Sequence, residues 1–226
     1  MIKDIIKLSS VLVIISALAA FSLAKTNAIT KDKIAVLKQK KNADAVAFVL
    51  KDLQFDYNTQ KTIKLSNGEE VLVWEGKDAG GDVKAFAFKC SKYGYSSNVE
   101  TMAGVDKEGN ILGIKILSQT ETPGLGTRVN EVASNDTFWL WIAGKSKEAT
   151  PDELIPWFQK QFLGLTVNNN IKIVKGKGEW LALSDDIRSS LKSNNEITAM
   201  AGATITTRAV TEAINEVAKE VLTNLK

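Results

Sequence analysis

The sequence predicts an α+β fold: one N-terminal transmembrane helix, then a single domain with a mixed or antiparallel sheet and flanking helices. Three observations predict it. Leu8 to Ala24 holds no charged residue. Downstream, apolar and polar residues alternate in strand-like segments separated by turn residues at Asn67-Gly68, Gly80-Gly81 and Gly109-Asn110. In Arg208 to Leu225, Val210, Ile214, Val217 and Val221 form one apolar stripe at helical spacing.

The seventeen uncharged residues from Leu8 to Ala24 stand at the lower limit for a bilayer span. A span takes about 20 residues, with snorkelling at its ends. Ile5 and Ile6 extend the apolar stretch past Lys7, and Lys3 and Lys7 resemble the basic start of an export signal. Ser22-Leu23-Ala24 and Thr26-Asn27-Ala28 each carry the small residues of a signal-peptidase site, so cleavage and retention are both open. The length of the stretch, and the lysine-rich helical segment directly after it, favour a retained anchor over residues 1–28. Lys25, Lys31 and Lys33 beyond the stretch outnumber the two lysines before it, against a simple positive-inside count. The domain is nevertheless expected outside the cytoplasm, because long domains translocate largely regardless of charge. With no cysteine between positions 20 and 30, a lipoprotein is excluded.

Residues 29–60 read as a helical connector, with Thr30 as N-cap and Ile34, Leu37, Ala45, Phe48 and Val49 as its apolar positions. The domain proper is expected over 61–226. Ile63 to Trp74 and Val83 to Cys90 read as strands, as do Asn98 to Ala103 and Ile111 to Ser118. The last two form a hairpin whose turn needs a positive φ at Gly109. Glu153 to Phe162 reads as a short helix, and Ile171 to Val174 as a strand ahead of Gly176-Lys177-Gly178.

Composition narrows the function. At 226 residues, 44% hydrophobic and 24% charged, the chain is globular. A formal charge of +3, with lysines scattered singly, offers no concentrated basic face for nucleic acid. There is no histidine and one cysteine, which excludes an internal disulfide, a cysteine-ligated cluster, the usual transition-metal sites and histidine-based acid–base catalysis. Cys90, within an apolar run, reads as a small buried hydrophobe. Chemistry, if any, belongs to something bound.

Two segments are built to bind. Met200-Ala201-Gly202-Ala203-Thr204-Ile205-Thr206-Thr207-Arg208 sets small residues and three threonines directly ahead of the last helix. A helix start offers free N–H groups and positive dipole to an anion, and Gly202 and Ala203 leave room for a phosphate. The bland alternative is a glycine turn with Thr206 or Thr207 as the N-cap. Thr120-Glu121-Thr122-Pro123-Gly124-Leu125-Gly126-Thr127 is a stiff loop of low profile, against which a planar aromatic cofactor could lie with Leu125 as apolar contact. Other features are weaker. Trp139 and Trp141 read as core, Asp185-Asp186 as the cap of a helix at Ile187, and Gly176-Lys177-Gly178 lacks the spacing of a P-loop.

Together the two segments resemble the paired signatures of FMN-binding domains. Most specifically they resemble the G subunit of the Rnf ferredoxin:NAD oxidoreductase, with the C subunit of the sodium-pumping NADH:quinone oxidoreductase as sister type. The apolar N-terminus, the length and the motif order agree over most of the chain. The resemblance implies FMN joined by a phosphoester to the threonine ending a Ser/Thr-Gly-Ala-Thr motif. That position here is Thr204, with Thr206 and Thr207 as rivals by proximity. It implies cofactor contacts from Glu121, Thr122, Gly124, Leu125, Gly126, Gly202, Ala203, Ile205, Thr206 and Thr207. Glu121 either orients threonine hydroxyls or faces the ring, where its charge would lower the potential.

The resemblance also implies a flavin transferase in maturation, with FAD as donor. It implies other subunits of a membrane complex, one carrying a second flavin, that couples ferredoxin–NAD exchange to ion movement. The expected setting is a bacterial or archaeal cell membrane, crossed once. On this reading the chain carries electrons and is not a catalyst on its own. The sequence departs from the motif at Ala201, where serine or threonine is usual, and at Thr198, where aspartate is common, with Glu196 as a conceivable stand-in. The competing expectation is an exported ligand-binding or scaffold protein without redox function.

Overall fold

The computed structural model describes residues 2–133, Thr150 and residues 153–225. Helix α1 runs unbroken from Ile2 to Leu50. No glycine or proline interrupts that stretch, so nothing removes a hydrogen bond from the ladder. Its N-terminal part is long and apolar enough to cross a membrane and is exposed throughout. The expected N-cap at Thr30 is corrected: it lies inside the helix, its hydroxyl donating to the Thr26 carbonyl at 2.8 Å, the back-bond a mid-helix threonine makes when no break frees it to cap. Residues 1–42 and 43–226 are separate compact units, so the last turns of α1 belong with the sheet.

In the second unit five antiparallel strands follow in chain order: β1 Lys61–Lys64, β2 Glu70–Lys77, β3 Val83–Tyr93, β4 Asn98–Asp106 and β5 Ile111–Ser118. Asn67-Gly68 turns β1 into β2, and Gly109 turns β4 into β5 at φ +90°. The central strand is covered on both faces, which is why Ala85-Phe86-Ala87-Phe88 reads as continuous apolar sequence and not as clean alternation. Phe86, Phe88 and Cys90 pack in the cluster that holds Val210, Ile214, Val217 and Val221 of the C-terminal helix. Ala85 and Ala87 point the other way, toward Ala45, Val46, Val49 and Leu50 of α1. Cys90 is fully buried, and burial pushes its thiol up to about 12, as an inert core residue requires.

Small residues let α1 sit close. A Cβ on Gly104 would stand 2.6 Å from the Val49 carbonyl oxygen, and a backbone atom cannot swing away as a side chain can. Gly104→Ala is therefore expected to cost about 1–3 kcal/mol by overpacking, read as a lowered midpoint in thermal melting. An unshifted midpoint would refute this close approach.

Among the described residues the further α-helices and strands are α2 Trp157–Lys160, β6 Lys172–Val174, α3 Asp185–Ser193, β7 Glu196–Thr198 and α4 Thr204–Leu225, with short 3-10 turns at Tyr57–Thr59, Gly126–Asn130 and Trp180–Ala182. Four expectations change. The helix expected over Glu153 to Phe162 shrinks to α2, because Pro156 stands as its N-cap and Gly164, at φ +77°, ends the following turns. Asp185 and Asp186 fill the first turn of α3 while Ser184 is its N-cap, and Asp185 pairs with Arg188. Strand β7, parallel to β6, falls on residues whose pattern announced no strand. Finally α4 begins at Thr204, four residues ahead of Arg208, so Thr206 and Thr207 lie inside its first turn and neither is the N-cap. Trp139 and Trp141 lie outside the described residues.

Candidate functional site

Strand β5 delivers the chain into the Glu121 loop, and β7 delivers it into the start of α4. The two meet around a cavity of about 510 Å³, within the range of small-molecule sites. Of the residues expected to bind, all but Gly124 and Thr207 line it. Gly124 shapes the loop from outside, at φ +74°, its N–H bonded to the Thr127 hydroxyl. Gly202 adopts φ +71°, and a Cβ there would stand 2.9 Å from Leu125 Cδ2. Glycine at 202 thus keeps the two segments in contact without a side chain between them.

The three threonines differ sharply. Thr206 is buried and donates its hydroxyl to Glu121 Oε2 at 2.6 Å. Thr207 is buried, donating to the Ala203 carbonyl at 3.1 Å and accepting from the Met200 N–H at 3.2 Å. Thr204 is half-buried, lines the cavity, and its hydroxyl makes no hydrogen bond among the described residues. The first bond that closes the helix runs from Thr207 N–H to the Ala203 carbonyl at 3.0 Å. The N–H groups of Thr204, Ile205 and Thr206 precede it and lack an acceptor among the described residues. A free hydroxyl and free N–H groups at a dipole's positive end suit a phosphate on Thr204.

Glu121 holds the site together. The residue is 4% exposed, and its carboxylate accepts from the Tyr95, Ser96 and Ser97 N–H groups at 3.1, 3.0 and 3.0 Å, and from the Ser97 and Thr206 hydroxyls. Of its two expected roles, orienting a threonine hydroxyl is the one this geometry has, since both oxygens are consumed within the protein. Gly94 and Gly126 make room for it: a Cβ on either would fall within 2.8 Å of a Glu121 atom.

Burial alone would raise the Glu121 carboxyl, but the Thr206 hydroxyl and the three N–H groups outweigh it and hold the group below its ordinary 4.5. A carboxylate depressed in the folded state stabilises fully above its unfolded value, and that contribution is lost as pH falls through the folded one. Melting temperature is therefore expected to drop on acidification below about 4.5 more steeply in the wild type than in E121Q. Parallel acid profiles would refute it. Glu131 and Glu179, also held low by hydrogen bonds, stay common to both chains.

Sequence reasoning missed two features. Tyr95 stands on the cavity wall, 68% exposed; an aromatic beside a glycine at a strand end was the only signal. The second is a clamp. Arg128 grips Glu179 through both terminal nitrogens, at 2.5 and 2.9 Å, and Glu131 through Nε at 2.9 Å. Glu179 in turn accepts the Ala201 N–H at 3.3 Å, so a carboxylate reaches the motif at the residue that departs from it. Arginine is rare here, three of 29 basic residues, and that scarcity was the available clue. At the other departure, Thr198 is buried and gives both its N–H and its hydroxyl to Gln161 Oε1, at 2.8 and 3.1 Å. Glu196 lies on β7 near Lys177 and does not line the cavity.

A family profile described as the FMN-binding domain matches residues 94–219. The G subunit of the Na(+)-translocating ferredoxin:NAD(+) oxidoreductase complex of Acetobacterium woodii is 29% identical, over 94% of this chain and 89% of that protein. The G subunit of the ion-translocating oxidoreductase complex of Aliivibrio fischeri is 30% identical, over 65% of this chain and 73% of that protein. Among solved structures, NqrC of Shewanella oneidensis aligns with a TM-score of 0.46 at 17% identity, over 75% of this chain and 70% of that one.

Proposed function

This chain belongs to the FMN-binding domain family, in its branch of ion-translocating oxidoreductase G subunits, and we propose that it holds FMN covalently through a phosphoester to Thr204. It is an electron-transfer, FMN-binding, membrane-anchored component of such a complex. The observation that carries the attachment is the contrast among the threonines: Thr206 and Thr207 are buried and hydrogen-bonded, whereas Thr204 presents an unengaged hydroxyl to the cavity.

Bound there, FMN supplies the redox chemistry through its isoalloxazine. The chain's own residues position it. The N–H groups of the first turn of α4 would hold the phosphate, Gly202 and Ala203 would leave it room, and Leu125, Ile205, Thr122 and Gly126 would form the walls. A covalent link keeps the cofactor outside the cytoplasm, where free FMN is scarce. Residues 1–28 are then the anchor, 29–60 the connector and 61–226 the flavin domain on the extracytoplasmic face. The ester is made by a flavin transferase, and the partners are the other subunits of a membrane complex coupling ferredoxin–NAD exchange to ion movement, one of them bearing flavin. Ferredoxin, NAD and the ion are bound by those subunits.

Peptide mass spectrometry of the chain purified from its membranes tests this. The peptide bearing Thr204 is expected to carry the mass of one FMN less water. A folded chain without flavin would sink the proposal and restore the ligand-binding or scaffold alternative.

A further inference from the structure

Tyr95 sits at the mouth of the cavity on the turn between β3 and β4, and the backbone around it is restrained while its side chain is not. Its N–H is held by Glu121 Oε2 at 3.1 Å. Gly94 before it has no room for a Cβ, which would lie 2.8 Å from Glu121 Oε1. Ser96 and Ser97 after it give their N–H groups to the same carboxylate. The phenol itself is 68% exposed and makes no hydrogen bond or ring contact among the described residues. Other tyrosines are engaged: the Tyr93 hydroxyl donates to the Ser96 carbonyl at 3.1 Å, and Tyr57 stacks on Trp74 at 5.5 Å.

A large aromatic on a rigid turn, next to Leu125 at 42% and Ile205 at 48% exposure, leaves apolar surface in water that a ligand would cover. The three side chains share one cavity, whose polar donors lie at the start of α4. A ligand with an anionic end and a flat aromatic body matches that division, the body falling to the apolar side.

Resting on covalent FMN at Thr204, we infer that Tyr95 is the aromatic contact of the isoalloxazine ring and that Glu121 is the positioning residue that presents it. Tyr95 takes no part in attachment, which is set at Thr204. Its work is to cover the ring, shielding it from water and restricting its motion on the tether.

The test compares full-length wild type, Y95F and Y95A, each co-produced with the flavin transferase, with flavin content fixed by peptide mass. A tyrosine in contact with flavin quenches its fluorescence by donating an electron to the excited ring, which phenylalanine is too hard to oxidise to do. Wild type is expected to show a short excited-state lifetime and Y95F, which keeps the ring but not the oxidisable phenol, a longer one. Y95A, with equal covalent flavin and an unchanged melting temperature, should fluoresce severalfold more brightly with a longer lifetime. Equal yield and lifetime in Y95A and wild type would overturn the inference while leaving the attachment standing. A Y95A chain that folds but takes up no flavin would overturn it too, since it gives Tyr95 a role in loading. Absence of flavin from the wild type would overturn attachment and ring contact together.

Discussion

Thr204→Val is expected to give a folded, membrane-bound chain with no covalent flavin. Valine matches threonine in shape, and the Thr204 hydroxyl makes no bond whose loss would orphan a partner among the described residues. At a half-buried position in the first turn, such a change should move stability by no more than about 0.5 kcal/mol. The loss of flavin, in contrast, should be complete, because a phosphoester cannot form without the hydroxyl. Thr206→Val and Thr207→Val give the opposite pattern. Each breaks a buried hydrogen bond, at a cost of about 1–3 kcal/mol, yet each should keep the added mass on the peptide. Intact mass and thermal melting of the three variants separate the cases. Retention of covalent flavin in T204V would overturn the assignment at once.

Glu121→Ala is expected to be the most destabilising single change at the site. Removing the carboxylate strips acceptors from the Tyr95, Ser96 and Ser97 N–H groups and from the Thr206 hydroxyl, in a place where the residue is 4% exposed. Buried donors left unpaired cost about 1–3 kcal/mol apiece when water cannot reach them. Since water will enter the space partly, the total should be about 3–5 kcal/mol. For a domain of this size each kcal/mol lowers the melting temperature by about 2–4 °C. A fall of roughly 6–20 °C by calorimetry is the expected outcome. E121Q keeps one acceptor oxygen but aims an NH2 group at other donors, and should fall between wild type and E121A. Melting of E121A within a degree or two of the wild type would show that the carboxylate is dispensable.

Much was legible because it depends on local periodicity. The absence of any break between Ile2 and Leu50, the turns at Asn67-Gly68 and Gly109, and the apolar stripe of α4 follow from neighbouring residues. The same holds for the two segments that line the cavity, whose glycines and threonines are contiguous. Misreadings arose where a distant residue decides. Thr206 looks like an N-cap until Glu121, far away in sequence, is seen to take its hydroxyl. Helix α4 starts early because Thr207 closes a bond to Ala203 while its own hydroxyl satisfies Met200. Glu121 looked equally suited to facing a ring until the turn at Tyr95 to Ser97 proved to consume it.

By itself, then, the sequence determined that an apolar N-terminal segment precedes an α+β domain, that the chain has no histidine and one cysteine, and where two contiguous small-residue segments fall. Hydropathy and backbone conformational preference act over a few residues, so they can be read in order along the chain. Only the tertiary structure decided which threonine hydroxyl is free, what Glu121 does, and that Tyr95 and the Arg128–Glu179 clamp belong to the site. Those outcomes turn on hydrogen bonds between residues up to 85 positions apart, and a donor's availability is known only once every competing acceptor has been brought into place.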